Sequence, residues 1–467
     1  MVKGFLAILF SILVLFPGMT RAELTIGEER EIGEKLLYRV RQEFTLIDDP
    51  DITQYITRLG NMVLSQAGPR YFDYRFFVVP SDEFNAFAAP SGLIFFYSGL
   101  IETMKSEDEL LSVLAHEIAH VESRHIASRS DKNAKIGAIS TALAMASLAL
   151  GDPSLAAGLF TGFQAAGITA SLHFSREDEE QADRLSYDWM RALHRNPRAM
   201  EEMLRTMRRI TRYRSEKMPP YLLTHPNPEA RLEYIQSLLD YQEGKDPEGQ
   251  YPVTDNFSFL RIKHRIMVEA SDRDRVRKYF TSLLGAGRTS EERIMATYGM
   301  AILHARELNF SAALDELERV RRMYPDRSIL DVDAGIMYLD SGDSDKAVEL
   351  LESAVKADPA DMYGTFHLAR AYEKKGRTDT AEQLYLRVMH EQPEFSQVYF
   401  ELGRLAKSRN SEGLSNYYLA KFYLYEGKLD FARSYLERVK RDPSLSQAIR
   451  DEAGKLLARL DELKLKK

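Results

Sequence analysis

Apolar residues return every three to four positions along most of the chain, the spacing of amphipathic helices. Residues 25–44 and 51–67 follow it, the second with Ile52, Ile56, Leu59, Met62 and Val63. Residues 71–79 do not: they are aromatic and β-branched, which predicts a strand. Pro90, Ser91 and Gly92 signal a turn, and 93–97 predicts a second strand, read as a plain hairpin packed on the helices. Helical spacing resumes over 106–126, with Leu110, Leu111, Val113, Leu114, Ile118, Ala119 and Val121 and no Pro or Gly. Ser106 and Glu109 form a capping box that starts this helix. Another starts at Ser175, with Asp178 in the same relation. Between them, 134–172 is rich in Ala, Gly, Leu, Ile and Ser, and Gly151, Asp152 and Pro153 split it into two arms. Each arm is marginal as a membrane span. It reads as a buried helical hairpin over the neighbouring helices, or as a contact with a membrane surface. The expected fold is mainly α with a small antiparallel β-sheet.

The second half of the chain repeats itself. Residues 242–256 carry Gly, Pro and charge and read as a linker. Beyond them Pro325, Pro359 and Pro393 fall 34 residues apart. Small residues keep the same phase as Ala301, Gly335 and Ala369, and again as Ala313, Ala347 and Ala381. Tyr338 matches Tyr372, and Gly342 matches Gly376. This is the tetratricopeptide pattern, helix pairs with small residues where they cross, stacked into an α-solenoid. Residues 257–284 look like a degenerate first pair. The phase slips after Pro393, since the next such proline, Pro443, lies 50 residues on. Gly427 with Ala432 resumes it, so 396–409 is expected as an extra helix before another full repeat. Residues 456–467 read as a polar capping helix. Such an array suits a peptide or protein partner; a spacer is the alternative.

A length of 467 residues allows two or three domains, and 44% apolar residues suffice for their cores. With 63 basic against 70 acidic residues the net charge is −7, which speaks against a nucleic-acid partner. The chain has no cysteine, which excludes disulfides, thiolate catalysis and lipid attachment through an N-terminal cysteine. Any zinc must rest on His, Asp or Glu. Residues 1–22 read as a secretory signal. Lys3 precedes an apolar run over 4–16, Pro17 and Gly18 break it, and Thr20 and Ala22 flank Arg21 at a cleavage site. The rival is an uncleaved anchor, but the run falls short of the roughly 20 residues of a span. The mature chain would start near Glu23 in an exported compartment, the periplasm of a Gram-negative source. The expected divisions are a signal (1–22), a first domain (23–241), a linker (242–256) and the repeats (257–467).

The candidate chemistry lies in the 106–126 helix, where His116, Glu117 and His120 spell H-E-I-A-H. Residues four apart share a helix face, so both imidazoles reach one metal ion, with Glu117 beside the bound water as a general base. Two ordinary helix histidines are the alternative. A catalytic zinc needs at least one more protein ligand and an open position. The acidic helix from Ser175 offers carboxylates, with Glu179 and Asp183 on one face; a solvated face is the bland reading of such a run. His225 stands in a Pro-rich loop, where a lone histidine is usually an exposed turn residue. The remaining histidines, His125 among them, show no comparable setting.

His116, Glu117 and His120, followed some sixty residues on by Ser175, Arg176, Glu179, Ala182 and Asp183, resemble the signature of the M48 family of zinc metalloproteases. The segments from Asn85 to Gly92 and around His225 and Arg231 match the family too. The resemblance implies a zincin-like metalloprotease domain that binds one Zn²⁺ per chain. It makes His116, His120 and Glu179 the metal ligands, Glu117 the general base and Asp183 the acid behind a ligand. Glu177 and Glu180 match no ligand position. Asn85, Ala86, Phe87 and Ala88 become the edge strand to which a substrate adds. His225 becomes a possible fourth ligand that keeps the enzyme latent, as in the periplasmic, repeat-bearing branch of the family. Arg231 becomes a residue for the substrate carbonyl or the oxyanion, with a structural ion pair as its rival. For function the resemblance implies periplasmic quality control of outer-membrane β-barrel proteins, with the repeats docked on the β-barrel assembly machinery. A periplasmic chaperone acting through the repeats is the alternative. An inner-membrane protease would need 134–172 to be a true span.

Overall fold

The computed structural model describes residues 24–128, 174–213, 219–243, 251–285 and 287–463. The expected signal and the bridge at 134–172 lie outside them, as do residues 244–250 of the expected linker. Among the described residues no helix is long and apolar enough to cross a membrane.

The first half is built on α1 (Ile26–Glu43), α2 (Pro50–Leu64), strands β1 (Arg75–Val79), β2 (Ala86–Ala89) and β3 (Leu93–Tyr97), α3 (Ser98–Thr103) and α4 (Glu107–Glu122). After these come α5 (His125–Ser128), α6 (Arg176–Ala192), α7 (Arg198–Tyr213), α8 (Pro220–Thr224) and α9 (Pro228–Glu243). The largest core cluster joins α2, α4, α6 and α7, with Leu110, Leu114 and Ile118 of α4 fully buried. At the start of α4, Ser106 Oγ accepts from the Glu109 amide at 3.2 Å. The other half of the expected box goes elsewhere, since Glu109 Oε2 accepts from the Lys105 amide. At α6 the box is complete.

The sheet is small, as expected, but mixed rather than purely antiparallel. Its order is β1-β3-β2, with β3 antiparallel to β2 and parallel to β1. The chain leaves β1, crosses to the far edge to form β2, and returns through the Pro90–Gly92 turn to insert β3 between them. Residues 71–74 stay outside the ladder. Every residue of β3 is buried, and alternation divides them between two cores. Ile94 and Phe96 join the α2–α4 cluster, while Leu93, Phe95 and Tyr97 join α1.

The second half is an array of helices, from α10 (Phe257–Ala270) and α11 (Arg273–Leu283) onward. Three pairs follow: α12 (Ser290–Arg306) with α13 (Phe310–Met323), α14 (Ile329–Ser341) with α15 (Ser344–Ala357), and α16 (Met362–Lys374) with α17 (Thr378–Glu391). The next helices, α18 (Ser396–Ser408) and α19 (Glu412–Tyr425), start 34 residues after α16 and α17, and Gly403 meets Leu419 as Gly335 meets Leu351, so α18 is the first helix of another pair rather than the expected extra helix; α20 (Leu429–Arg441) follows. The closing helix, α21 (Gln447–Leu463), starts earlier than the expected cap. Gly342, Gly376 and Gly427 follow the ends of α14, α16 and α19 with φ of +98°, +74° and +72°, the conformation that glycine adopts without penalty.

The array folds back onto the first half. Arg261 of α10, 3% exposed, bonds both Asp51 oxygens of α2 and, through Nε and its other terminal nitrogen, Asp333 of α14. Arg265 reaches Asp49 at 2.7 Å, and Glu394 takes Arg41 at 2.9 Å and Arg75 at 3.0 Å. Part of the array surface expected to serve a partner is therefore covered by the chain's own residues 48–54. A cavity of about 1510 Å³ remains between the halves, lined by Thr53, Arg58, Arg75, Met362, Glu394 and Lys428.

Gly427 marks the tightest of these contacts, because a Cβ there would lie 2.1 Å from the Arg41 carbonyl oxygen. Gly376 shares its positive φ but has nothing within 4 Å of that position. Gly376→Ala is expected to cost about 1–2 kcal/mol for the left-handed backbone. Gly427→Ala should cost more, since two backbones must separate. Thermal unfolding of both variants checks this; equal losses would mean that the contact carries no energy.

Candidate active site

Helix α4 supplies His116, Glu117 and His120, and α6 packs along it to supply Glu179 and Asp183. His225 caps the short α8, where its amide bonds the Tyr221 carbonyl at 2.8 Å. Arg231 comes from α9. All seven are buried, and His225, Glu117 and His120 are fully enclosed.

Four of them converge on one point. His116, His120, Glu179 and His225 each offer a donor atom, and these lie within 4.8 Å of one another. His116 Nε2 is 3.0 Å from His120 Nε2 and 3.3 Å from His225 Nδ1. Glu179 Oε1 is 3.4 Å from His120 Nε2 and 2.9 Å from His225 Nδ1, and its Oε2 is 3.5 Å from His116 Nε2. Ligands bound tetrahedrally at about 2.0–2.1 Å stand roughly 3.3 Å apart, so the donors are spaced for a zinc-sized ion. Glu117 is the neighbour of this cluster rather than a member, with Oε1 3.5 Å from His225 Nε2.

Unmet hydrogen-bonding capacity points the same way. Both carboxylate oxygens of Glu117 and His225 Nε2 are buried without a hydrogen-bond partner among the described residues. Buried polar atoms are rarely left so, because each forfeits its hydration. Two imidazoles, a carboxylate and a third imidazole are borderline-hard donors that suit zinc.

Behind the cluster, His116 presents Nδ1 to Asp183 Oδ1 at 3.0 Å. Arg231 grips both Asp183 oxygens at 2.8 and 2.7 Å, and its Nη1 lies 2.8 Å from Glu179 Oε2. Its guanidinium thus sits in the ion pair foreseen as the alternative to an oxyanion role. Burial works to raise Glu179 and Asp183, but Arg231 is the largest opposing influence and holds both below the usual carboxylate range. Burial and Arg231 both oppose charge on His116, yet Asp183 and Glu179 lift it to about 9. Burial pushes His120 well below the usual imidazole range.

Asn85 precedes β2, and Ala86, Phe87 and Ala88 lie within it, all buried. The strand pairs only with β3, so its outer edge has no strand partner among the described residues. Its Ala86 and Ala88 join the core cluster of α4, which puts the strand beside the histidine helix.

Sequence reasoning missed three residues around the cluster. Tyr221 stacks on His225, with ring centroids 4.3 Å apart and planes inclined by 23°. Phe174 stacks on His120 at 3.8 Å, and its amide bonds the Thr224 carbonyl at 3.0 Å. His125, expected off the ligand face, is buried with Nδ1 2.9 Å from His120 Nδ1. On a continuous helix it would point away. Arg124 breaks the helix with φ of +52° and turns it inward.

Comparisons with known proteins match both halves of the chain. Residues 50–239 match the peptidase family M48, and 298–361 and 332–394 match the tetratricopeptide repeat. The beta-barrel assembly-enhancing protease of Escherichia coli (strain K12) is 29% identical over 455 residues, covering 94% of this chain and 89% of its own. The protein of the same name from Yersinia pestis is 28% identical, covering 94% and 90%. The mitochondrial metalloendopeptidase OMA1 of Schizosaccharomyces pombe is 28% identical, over 40% of this chain and 53% of its own.

Proposed function

From a chain that carries a peptidase family M48 domain followed by tetratricopeptide repeats, and is thus a metalloendopeptidase, we propose a zinc enzyme of the bacterial cell envelope, held latent by His225. The observation that carries this reading is the set of four buried donors within 4.8 Å of one another, beside a buried carboxylate, Glu117, that has no hydrogen-bond partner among the described residues.

His116, His120 and Glu179 hold one zinc ion per chain. When bound, the ion polarises the scissile carbonyl and lowers the pKa of the attacking water. Glu117 takes that water's proton and passes it to the leaving amine. Asp183 fixes the His116 ring, and Arg231 holds Asp183 in place. An extended substrate adds to the outer edge of β2 through residues Asn85 to Ala88. His225, at the fourth position, excludes the water until its loop moves.

The relatives' name supports β-barrel proteins, which we take to be those of the outer membrane, as clients, and the repeats support docking on the assembly machinery. The compartment is the periplasm, reached by cleavage near Ala22.

Chelation tests the metal. Removing zinc from the mature chain is expected to abolish cleavage of an unfolded model protein and to lower the unfolding temperature by several degrees. A ligand at a thousand times its dissociation constant stabilises by about 4 kcal/mol. Zinc added back should restore both. Cleavage that survives chelation would contradict the proposal.

A further inference from the structure

The two helix imidazoles of the cluster are anchored differently. His116 has the Asp183 carboxylate behind it, whereas His120 has a third histidine. His120 Nδ1 lies 2.9 Å from His125 Nδ1. On its far side His125 Nε2 lies 3.2 Å from Gln181 Oε1 and 3.7 Å from Asp178 Oδ1. His125 is 3% exposed. Its position is built by the sequence around it, because Arg124, at positive φ, is pinned through Nε to Glu29 Oε1 at 2.7 Å.

The chemistry of the chain fixes its direction. Two Nδ1 atoms at this distance share one proton. A His120 ring that offers Nε2 to a metal carries its proton on Nδ1, so it donates and His125 Nδ1 accepts. A neutral His125 then carries its own proton on Nε2. That proton faces the Gln181 amide at 3.2 Å, whose oxygen accepts it, and the negative Asp178 carboxylate 3.7 Å away favours a donor there. The reverse direction would set a bare Nε2 against these acceptors.

We infer that His125 is a positioning residue of the metal centre: with Gln181 it holds the His120 ring in the tautomer and orientation that present Nε2 to the ion. The inference rests on the zinc site proposed above. It gives α6 a further task, because the helix that supplies Glu179 also braces His120 through Gln181. Neither His125 nor Gln181 touches a substrate in this account.

The test is zinc affinity of the full mature chain, measured by competition with a chromophoric chelator. It uses the wild type, His125→Leu, His125→Asn and Gln181→Leu, with thermal unfolding of each metal-free chain and the visible spectrum of each cobalt-loaded one. Losing the partner of a metal-binding imidazole weakens binding roughly 10–100-fold. That loss is expected for His125→Leu, together with an altered cobalt spectrum and an unfolding temperature near wild type. His125→Asn keeps an acceptor near the Nδ1 position and should recover most of the affinity. Gln181→Leu should weaken binding in the same direction but less. If His125→Leu fails to fold metal-free, the other two variants decide: wild-type affinity in Gln181→Leu, or a large loss in a folded His125→Asn, overturns the inference. Wild-type affinity in His125→Leu overturns it outright. A wild-type chain that binds no zinc refutes the metal site itself, which is a separate outcome.

Discussion

Glu117→Gln is expected to lower proteolysis by roughly 10²–10⁴-fold, the usual contribution of a general base, with zinc content unchanged. That loss corresponds to about 3–5 kcal/mol at the transition state. Glutamine matches glutamate in size and shape but takes no proton from water. The variant should be no less stable than the wild type, and the reason is structural. Neither Glu117 oxygen has a hydrogen-bond partner among the described residues, and the residue is fully buried. Holding a carboxylate there costs the fold stability, which a neutral amide relieves. Cleavage assays with metal analysis, beside thermal unfolding, check both halves. Undiminished cleavage would remove Glu117 from the mechanism, and a large loss of stability would mean that its carboxylate serves the fold.

His225→Ala should act in the opposite sense and raise cleavage roughly 10–100-fold, which corresponds to a latch favoured by about 1.4–2.8 kcal/mol. His225 Nδ1 stands 2.9 Å from Glu179 Oε1 and 3.3 Å from His116 Nε2, where an attacking water would have to sit. Its Nε2 faces Glu117 Oε1 at 3.5 Å, between the base and the cluster. Deleting the imidazole frees both places at once. The zinc should remain, because His116, His120 and Glu179 still supply three ligands. Adding Glu117→Gln to His225→Ala should return cleavage to background, which separates the activation from a contaminating protease. If His225→Ala is no faster than the wild type, the histidine is a fourth structural ligand and the latch is wrong.

Local signals gave the elements, and long-range packing gave what they missed. His116 and His120 were legible because helical spacing alone puts residues four apart on one face. Glu179 and Asp183 were legible as a pair on one face of α6; that this face meets α4 is a tertiary fact. The repeats were legible through α17, because Pro, Gly and Ala mark helix ends and crossings at a fixed period; α18 was misread as an extra helix because Gly427 stands where the next proline of the series was due. The mixed sheet was not, since no local signal says that β3 inserts between β1 and β2. His125 escaped for a related reason. Five residues past His120 is off-face on a continuous helix, and only the break at Arg124 turns it inward. The array was read as open to partners, yet Arg261 and Glu394 tie it to the peptidase half. Their carboxylate and guanidinium partners lie hundreds of residues away in sequence.

Zinc X-ray absorption on the wild type and on His225→Ala tests the latched metal centre most directly, because it counts imidazoles at the ion. The account predicts three imidazoles and one carboxylate in the wild type, with metal–ligand distances of about 2.0–2.2 Å. It predicts two imidazoles, a carboxylate and a light oxygen ligand in the variant. A wild-type spectrum with two imidazoles, the same as the variant's, would place His225 off the metal and contradict the account.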